Sequence, residues 1–304
     1  MHTVLCASPF VPPEAIAAHG FRPVPLVPDD GGDREAPIEG CCALARACVR
    51  TAAASGARAA VFAPGCDQMR RTIEAAAERS SVPLFLFNLP ATRGTPAALR
   101  LYCAELERLA RFLVRLGGRP PAPDDWAAAG RACGARRRED IRARPADRVR
   151  PTALRVGLLG CNLSRADRAL AARLAAAGLD VALDATEFGE RGQPGPVSPR
   201  DLRRNPLEAL ARAYAETIPS VCHRPDDRLL AWLRARRARL GLRAFVLLRH
   251  TWCDPWHAAA ARLRAALDVP LLDIDVGEPA SPAAWTTRVE ALAEALRNAP
   301  GSAP

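Results

Sequence analysis

The sequence predicts an α/β protein made of two doubly wound parallel sheets joined by a short helical linker. Three observations predict it. Short apolar runs alternate with helix-length stretches along most of the 304 residues. Glycine or proline marks most of the junctions between them. The alternation breaks once, in a Pro- and Arg-rich stretch, and then restarts. The expected units are therefore 1–116 (N-terminal α/β domain), 117–152 (helical, Arg-rich linker) and 153–304 (C-terminal α/β domain).

In the first unit, residues 3–7 read as a strand. Pro13-Glu14 opens a helix that stops at Gly20, with Glu14 as a first-turn acid favoured by the helix dipole. Residues 23–27 are extended, and 29–37, rich in Asp, Gly and Pro, are a loop. A helix over 42–55 ends at Gly56. The run 59–63 is a buried strand, and Pro64-Gly65 turns the chain so that Cys66 enters the next helix. Residues 83–89 form another strand. Thr95 caps a long helix with Pro96 at its first position, ending at Leu116.

The linker opens on Pro120, Pro121 and Pro123, holds a short helix around Trp126, and carries the densest arginine cluster, beginning at Arg136-Arg137-Arg138. The second unit repeats the pattern. Strands are expected at 154–160, 179–183, 244–248 and 269–276, and helices at 164–177, 207–215, 226–240, 256–267 and 282–297. Residues 187–199 read as a Gly/Pro-rich loop, and Trp252-Cys253-Asp254-Pro255 as a strand-to-helix turn.

Composition removes several functions. The net charge is +10, yet all 43 basic residues are Arg. Schiff-base and P-loop lysines are therefore excluded. Scattered arginines and an aromatic content of 5% argue against nucleic-acid binding. No apolar run reaches the ~18 residues of a membrane span, and no basic, apolar leader opens the chain, so a cytoplasmic protein is expected. Ten cysteines without a CxxC pair point to metal or redox chemistry assembled from distant segments.

Three cysteines stand in equivalent places. Cys66 and Cys253 each lie between a strand and a helix, and Cys42 starts a helix after a loop. Unpaired N–H groups and the helix dipole at such turns favour thiolate. Ligands of open α/β sheets gather at the carboxyl ends of strands. Three converging thiolates without histidine suit an iron–sulfur cluster better than catalytic zinc. Cys6 and Cys161 also fall at strand ends, so spacing alone does not choose the set.

Three segments carry a family resemblance: Cys42-Ala43-Leu44-Ala45-Arg46, Gly65-Cys66-Asp67-Gln68-Met69-Arg70-Arg71 and Trp252-Cys253-Asp254-Pro255. With the opening Pro13-Glu14 and Ala18-His19-Gly20, their order resembles the 2-hydroxyacyl-CoA dehydratase / benzoyl-CoA reductase family. The resemblance implies two Rossmann-like domains and a [4Fe–4S] cluster held by Cys42, Cys66 and Cys253. It further implies a paralogous partner subunit in a hetero- or homodimer, and an ATP-dependent activator that injects one electron. The implied activity is lyase chemistry, the radical elimination of water from a hydroxyacyl-CoA. A CoA-ester reductase subunit, a non-catalytic electron-transfer or scaffold subunit, and a cluster-free α/β binding protein stand as alternatives.

The register with Arg46 prefers Cys42 over Cys41, and Cys161, following Gly160, is the other extra ligand candidate. Cys222, like Cys6, lies near a crevice edge. Cys48 and Cys103 read as core, and Cys133 as incidental to the linker. His250 and His257 flank Cys253 and are the candidates for acid/base or hydrogen-bonding roles. Asp67 and Asp254 read as first-turn helix acids, and Arg70 and Arg71 as a solvated helix face.

Overall fold

The computed structural model describes residues 1–29, 41–77, 80–142, 153–164, 169–225, 227–276 and 282–299. The first unit contains β1 (Thr3–Cys6), α1 (Pro13–Ala18), β2 (Arg22–Pro25), α2 (Ala43–Ala54), β3 (Ala59–Phe62), α3 (Asp67–Ala77), β4 (Leu84–Leu86) and α4 (Pro96–Arg115). Next comes α5 (Pro123–Arg142). The second unit contains β5 (Leu154–Gly160), α6 (Ala169–Ala176), β6 (Leu179–Ala185), α7 (Pro199–Arg204), α8 (Pro206–Ala211), α9 (Asp227–Leu240), β7 (Ala244–His250), α10 (Asp254–Ala266), β8 (Leu271–Val276) and α11 (Pro282–Asn298). A wide helical turn, Arg212–Glu216, continues α8. Most of the expected loop 29–37 and the start of the helix after Ser164 lie outside the described residues.

Both sheets are four-stranded and parallel, in the orders β2-β1-β3-β4 and β6-β5-β7-β8. The same winding is used twice, as the sequence pattern predicts. The central strands β1, β3, β5 and β7 are covered on both faces, which is why they read as apolar runs without alternation. In the first sheet, Val4, Val61 and Phe85 point to one core, and Leu5, Ala60 and Phe62 to the opposite one. In the second, Phe245 and Leu247 face one side, and Val156, Val246 and Ile274 the other. The strand order reverses between β1 and β3 and between β5 and β7, and ligands favour the crevice at such reversals.

Thr95 caps α4 as expected, its hydroxyl accepting from the Ala98 N–H at 3.1 Å. The helix around Trp126 is longer than predicted. It packs on α1 and α7, and Trp126, Ala127 and Ala129 are buried. At Gly130 a Cβ would lie 2.2 Å from the Leu202 side chain, so α7 seats directly on α5. The core on that face of the first sheet is completed by Leu202, Leu210, Tyr214 and Ile218 from the second half.

A second seam joins the halves. The Arg93 N–H donates to the Arg224 carbonyl at 3.0 Å, and the Arg224 N–H to Ala91 at 2.9 Å. The buried Arg93 guanidinium donates to the Ile218 carbonyl and to Nδ1 of His223. Burial, with Arg93 and Arg224 beside it, pushes the His223 pKa from 6.5 down to about 3. The unfolded chain therefore takes up this proton near pH 6.5 and the folded chain only near 3, so acid favours unfolding. Below pH 6.5 this ring alone is expected to remove about 1.4 kcal/mol of stability per pH unit. In His223→Gln, whose amide oxygen still accepts from Arg93, that slope should flatten. Equal loss of stability between pH 6.5 and 5 in the two proteins, measured by urea unfolding, would refute the assignment.

Candidate metal centre

The crevice between the two reversal points is lined with sulfur. Cys66 leaves β3 and leads into α3, Cys253 leaves β7 as the residue before α10, and Cys42 precedes α2. Each of the three thiols lies within charge–charge range of the other two. The backbone N–H groups of Ala45, Met69 and Trp256, each three residues on, face the sulfurs of Cys42, Cys66 and Cys253 and favour their thiolates. Gln68 links two of the turns, its Oε1 accepting from the Cys42 N–H at 3.1 Å.

Burial reverses one expectation. The helix dipole was expected to hold Cys66 as thiolate, but desolvation outweighs the Met69 N–H and pushes this thiol up to about 12. Burial raises Cys42 as well. Such thiols stay protonated until a cation takes the proton's place. Cys253 goes the other way. The Cys161 thiol stands 3.7 Å from its sulfur and stabilises the thiolate, while Cys161 itself is raised well above its ordinary value.

Cys161 touches both the second-sheet core and the α2/α3 core, so it sits at the contact between the halves. Asn162 beside it donates to the Leu26 carbonyl at 2.8 Å. Gly160, the residue before Cys161, packs closely on β7. Its φ is +149°, and a Cβ there would lie 2.6 Å from the Leu248 carbonyl oxygen. Cys222 comes in against Gly65, where an added Cβ would lie 2.7 Å from its own Cβ. Trp252, 60% exposed, turns the chain into Cys253 at φ +68°, a left-handed conformation costly for a bulky residue.

The other candidates fall elsewhere. Cys41 is buried beside Cys42, Cys48 lies in the core under α2, and Cys6 faces the opposite core near Cys133 and Glu14. Cys103 is half-buried on α4. His250 is buried at the end of β7, and His257 is exposed on α10, its N–H donating to the Cys253 carbonyl at 2.9 Å. Among the described residues, no three His, Cys, Asp or Glu side chains are grouped to hold a single metal ion.

Sequence reasoning missed two charged residues at the crevice. Glu187 is the carboxylate whose charge reaches Cys66, Cys161, Cys222 and Cys253, and burial raises its pKa against the pull of Arg191. Arg191, 1% exposed, donates to the carbonyls of Ala185, Gly160 and Pro219 at 2.8, 2.9 and 3.1 Å. It also lies over the Trp256 ring at 5.4 Å. Both belong to a Gly/Pro-rich stretch that reads as a surface loop.

The family described as 2-hydroxyglutaryl-CoA dehydratase, D-component, matches residues 9–139 and 132–296. The chain belongs to this family. The match covers parts of both sheets and all three cysteine turns, so this D-component family member is a 2-hydroxyacyl-CoA dehydratase-like subunit. No curated protein sequence matches it.

Distant likenesses exist among solved structures. The laminin-binding protein Lbp of Streptococcus pyogenes is 13% identical, covers 97% of each chain and has a TM-score of 0.25. The periplasmic zinc binding protein TroA from Treponema pallidum is 12% identical over 97% of this chain and 96% of its own, at 0.27. Fe(III)-bound YtgA from Chlamydia trachomatis is 11% identical over 97% and 98%, at 0.26. At such TM-scores these likenesses carry no inference for the D-component family member. Among its described residues, no helix is long and apolar enough to cross a membrane.

Proposed function

We propose that this chain is the cluster-bearing subunit of a 2-hydroxyacyl-CoA dehydratase-like enzyme, with Cys42, Cys66 and Cys253 as the ligands of a [4Fe–4S] cluster. The observation that carries the reading is the shared design of the three turns. Each thiol starts a helix, faces a first-turn N–H, and lies within reach of the other two thiols. The donor set is all sulfur, which suits iron–sulfur chemistry, and N–H groups aimed at sulfur tune such centres. Thiols on separate irons need not crowd round one ion.

When bound, the cluster supplies one electron and a Lewis-acidic iron for removing water from a hydroxyacyl-CoA. The electron comes from a separate ATP-dependent activator, and a paralogous subunit completes the assembly. The residues of the chain shape that centre. Cys161 donates its S–H to Cys253 rather than serving as a fourth ligand, because 3.7 Å is a hydrogen-bonded sulfur pair. Arg191 and Glu187 set the charge beside the thiols.

The test is purification without oxygen. The expected protein is brown, holds about four irons per chain, and becomes colourless in Cys66→Ala. Colourless, iron-free protein after strictly anaerobic cluster assembly would sink the reading. Water elimination from a 2-hydroxyacyl-CoA, with activator and ATP, then separates an enzyme subunit from an electron carrier.

A further inference from the structure

On the far side of the 186–194 segment from the thiols lies a cavity of about 340 Å³. Glu187 of that segment turns toward the cysteines, while Phe188, Gly192, Gln193 and Pro194 line the cavity. Its other walls are α1, the edge strand β2, and the α5 face that carries Ala132, Cys133, Arg136, Arg137 and Asp140. The volume falls in the range of small-molecule sites.

The floor is polar but already satisfied. Tyr214 donates to Glu14 at 2.7 Å, and Arg137 donates to Glu14 at 2.5 Å and to the Tyr214 oxygen at 2.9 Å. These groups shape the cavity and leave little to offer a ligand. Other lining groups are not satisfied. Among the described residues, the guanidiniums of Arg22 and Arg136 have no carboxylate partner, and both line the cavity. Asp140 lines it too, and the two guanidiniums leave the lining net positive. Val11, Ala17, Phe21 and Phe188 supply apolar wall.

We propose that this cavity binds a small organic carboxylate with an apolar body. The carboxylate meets Arg136 and Arg22, and the apolar body lies against Phe21 and Phe188. The net positive lining suits an anion, and the polar groups are too few for a polyphosphate. The inference does not rest on the cluster.

The probe is N-acetylleucine, which has a carboxylate and a branched apolar chain, titrated calorimetrically into the full chain. Binding is expected with a dissociation constant of roughly 1 mM, usual for so small a ligand. The uncharged methyl ester should bind about tenfold more weakly, as should the acid to Arg136→Glu, since a charge-assisted contact is lost. Ala132→Trp, at an exposed position on α5, should abolish binding by filling the space. Cys66→Ala should bind the acid normally, which separates this site from the thiol centre. No saturable binding at ten times the expected constant would overturn the proposal. So would equal binding of acid and ester, or unchanged binding by Arg136→Glu with its fold confirmed by thermal melting.

Discussion

Arg191→Met is expected to remove about 3–5 kcal/mol of folding stability, the largest loss from any single substitution considered. The guanidinium is buried and holds three backbone carbonyls, at the ends of β5 and β6 and at Pro219. Methionine keeps some of the packing on Trp256 but orphans all three acceptors, each of which costs about 1–3 kcal/mol when buried. Relaxation and water entry recover part of that, which sets the range below the simple sum. Arg191→Lys should restore only a fraction, because an ammonium cannot present the planar fork that reaches three separate carbonyls. Urea unfolding measures both. A Met variant within about 1 kcal/mol of the parent would show that the carbonyls find other donors. The same residue ties down Gly160 and Pro219, which precede Cys161 and Cys222.

Glu14→Ala should cost about 3 kcal/mol, by leaving Arg137 partly buried without its carboxylate. Glu14 is fully buried, whereas the Arg137 side chain is 22% exposed, so water softens the penalty. The pairing is mutual. Burial works against the Arg137 charge, but Tyr214 and Glu14 outweigh it and raise the pKa of the guanidinium. The double variant Glu14→Ala with Arg137→Met should recover much of the loss, because no uncompensated charge remains. Thermal melts of the single and double variants decide it. Additive losses would mean that packing, not the ion pair, explains the cost.

What the sequence disclosed follows from how local each signal is. Strand-to-helix turns are written in neighbouring residues, so the two parallel sheets and the positions of Cys66 and Cys253 could be read directly. Glu14 was legible only as a first-turn acid, because its partners lie 123 and 200 residues away in the chain. Arg191 was invisible for the same reason, since glycines and prolines around it signal exposure and only the folded sheet supplies its acceptors. Cys66 shows the limit of a dipole argument, as the sign was readable but the opposing burial was not. The α5 region, with its prolines and arginine run, resembles a solvated spacer until Leu202 packs against Gly130. One miss was avoidable. Ser198 followed by Pro199 is a cap-and-start signal, and α7 begins there with the Ser198 hydroxyl accepting from Asp201 at 3.0 Å.

The shared core has a consequence during synthesis. Tyr102, Leu106, Leu109 and Leu113 leave the ribosome well before Leu210 and Tyr214, which help to cover them. At 5–20 residues per second, the gap of about 100 residues between Leu113 and Tyr214 lasts roughly 5–20 s. For that interval the nascent chain carries an apolar surface whose cover has not yet been made. The first sheet can form early, but a holding chaperone would have to stand in for the missing helices until translation reaches them.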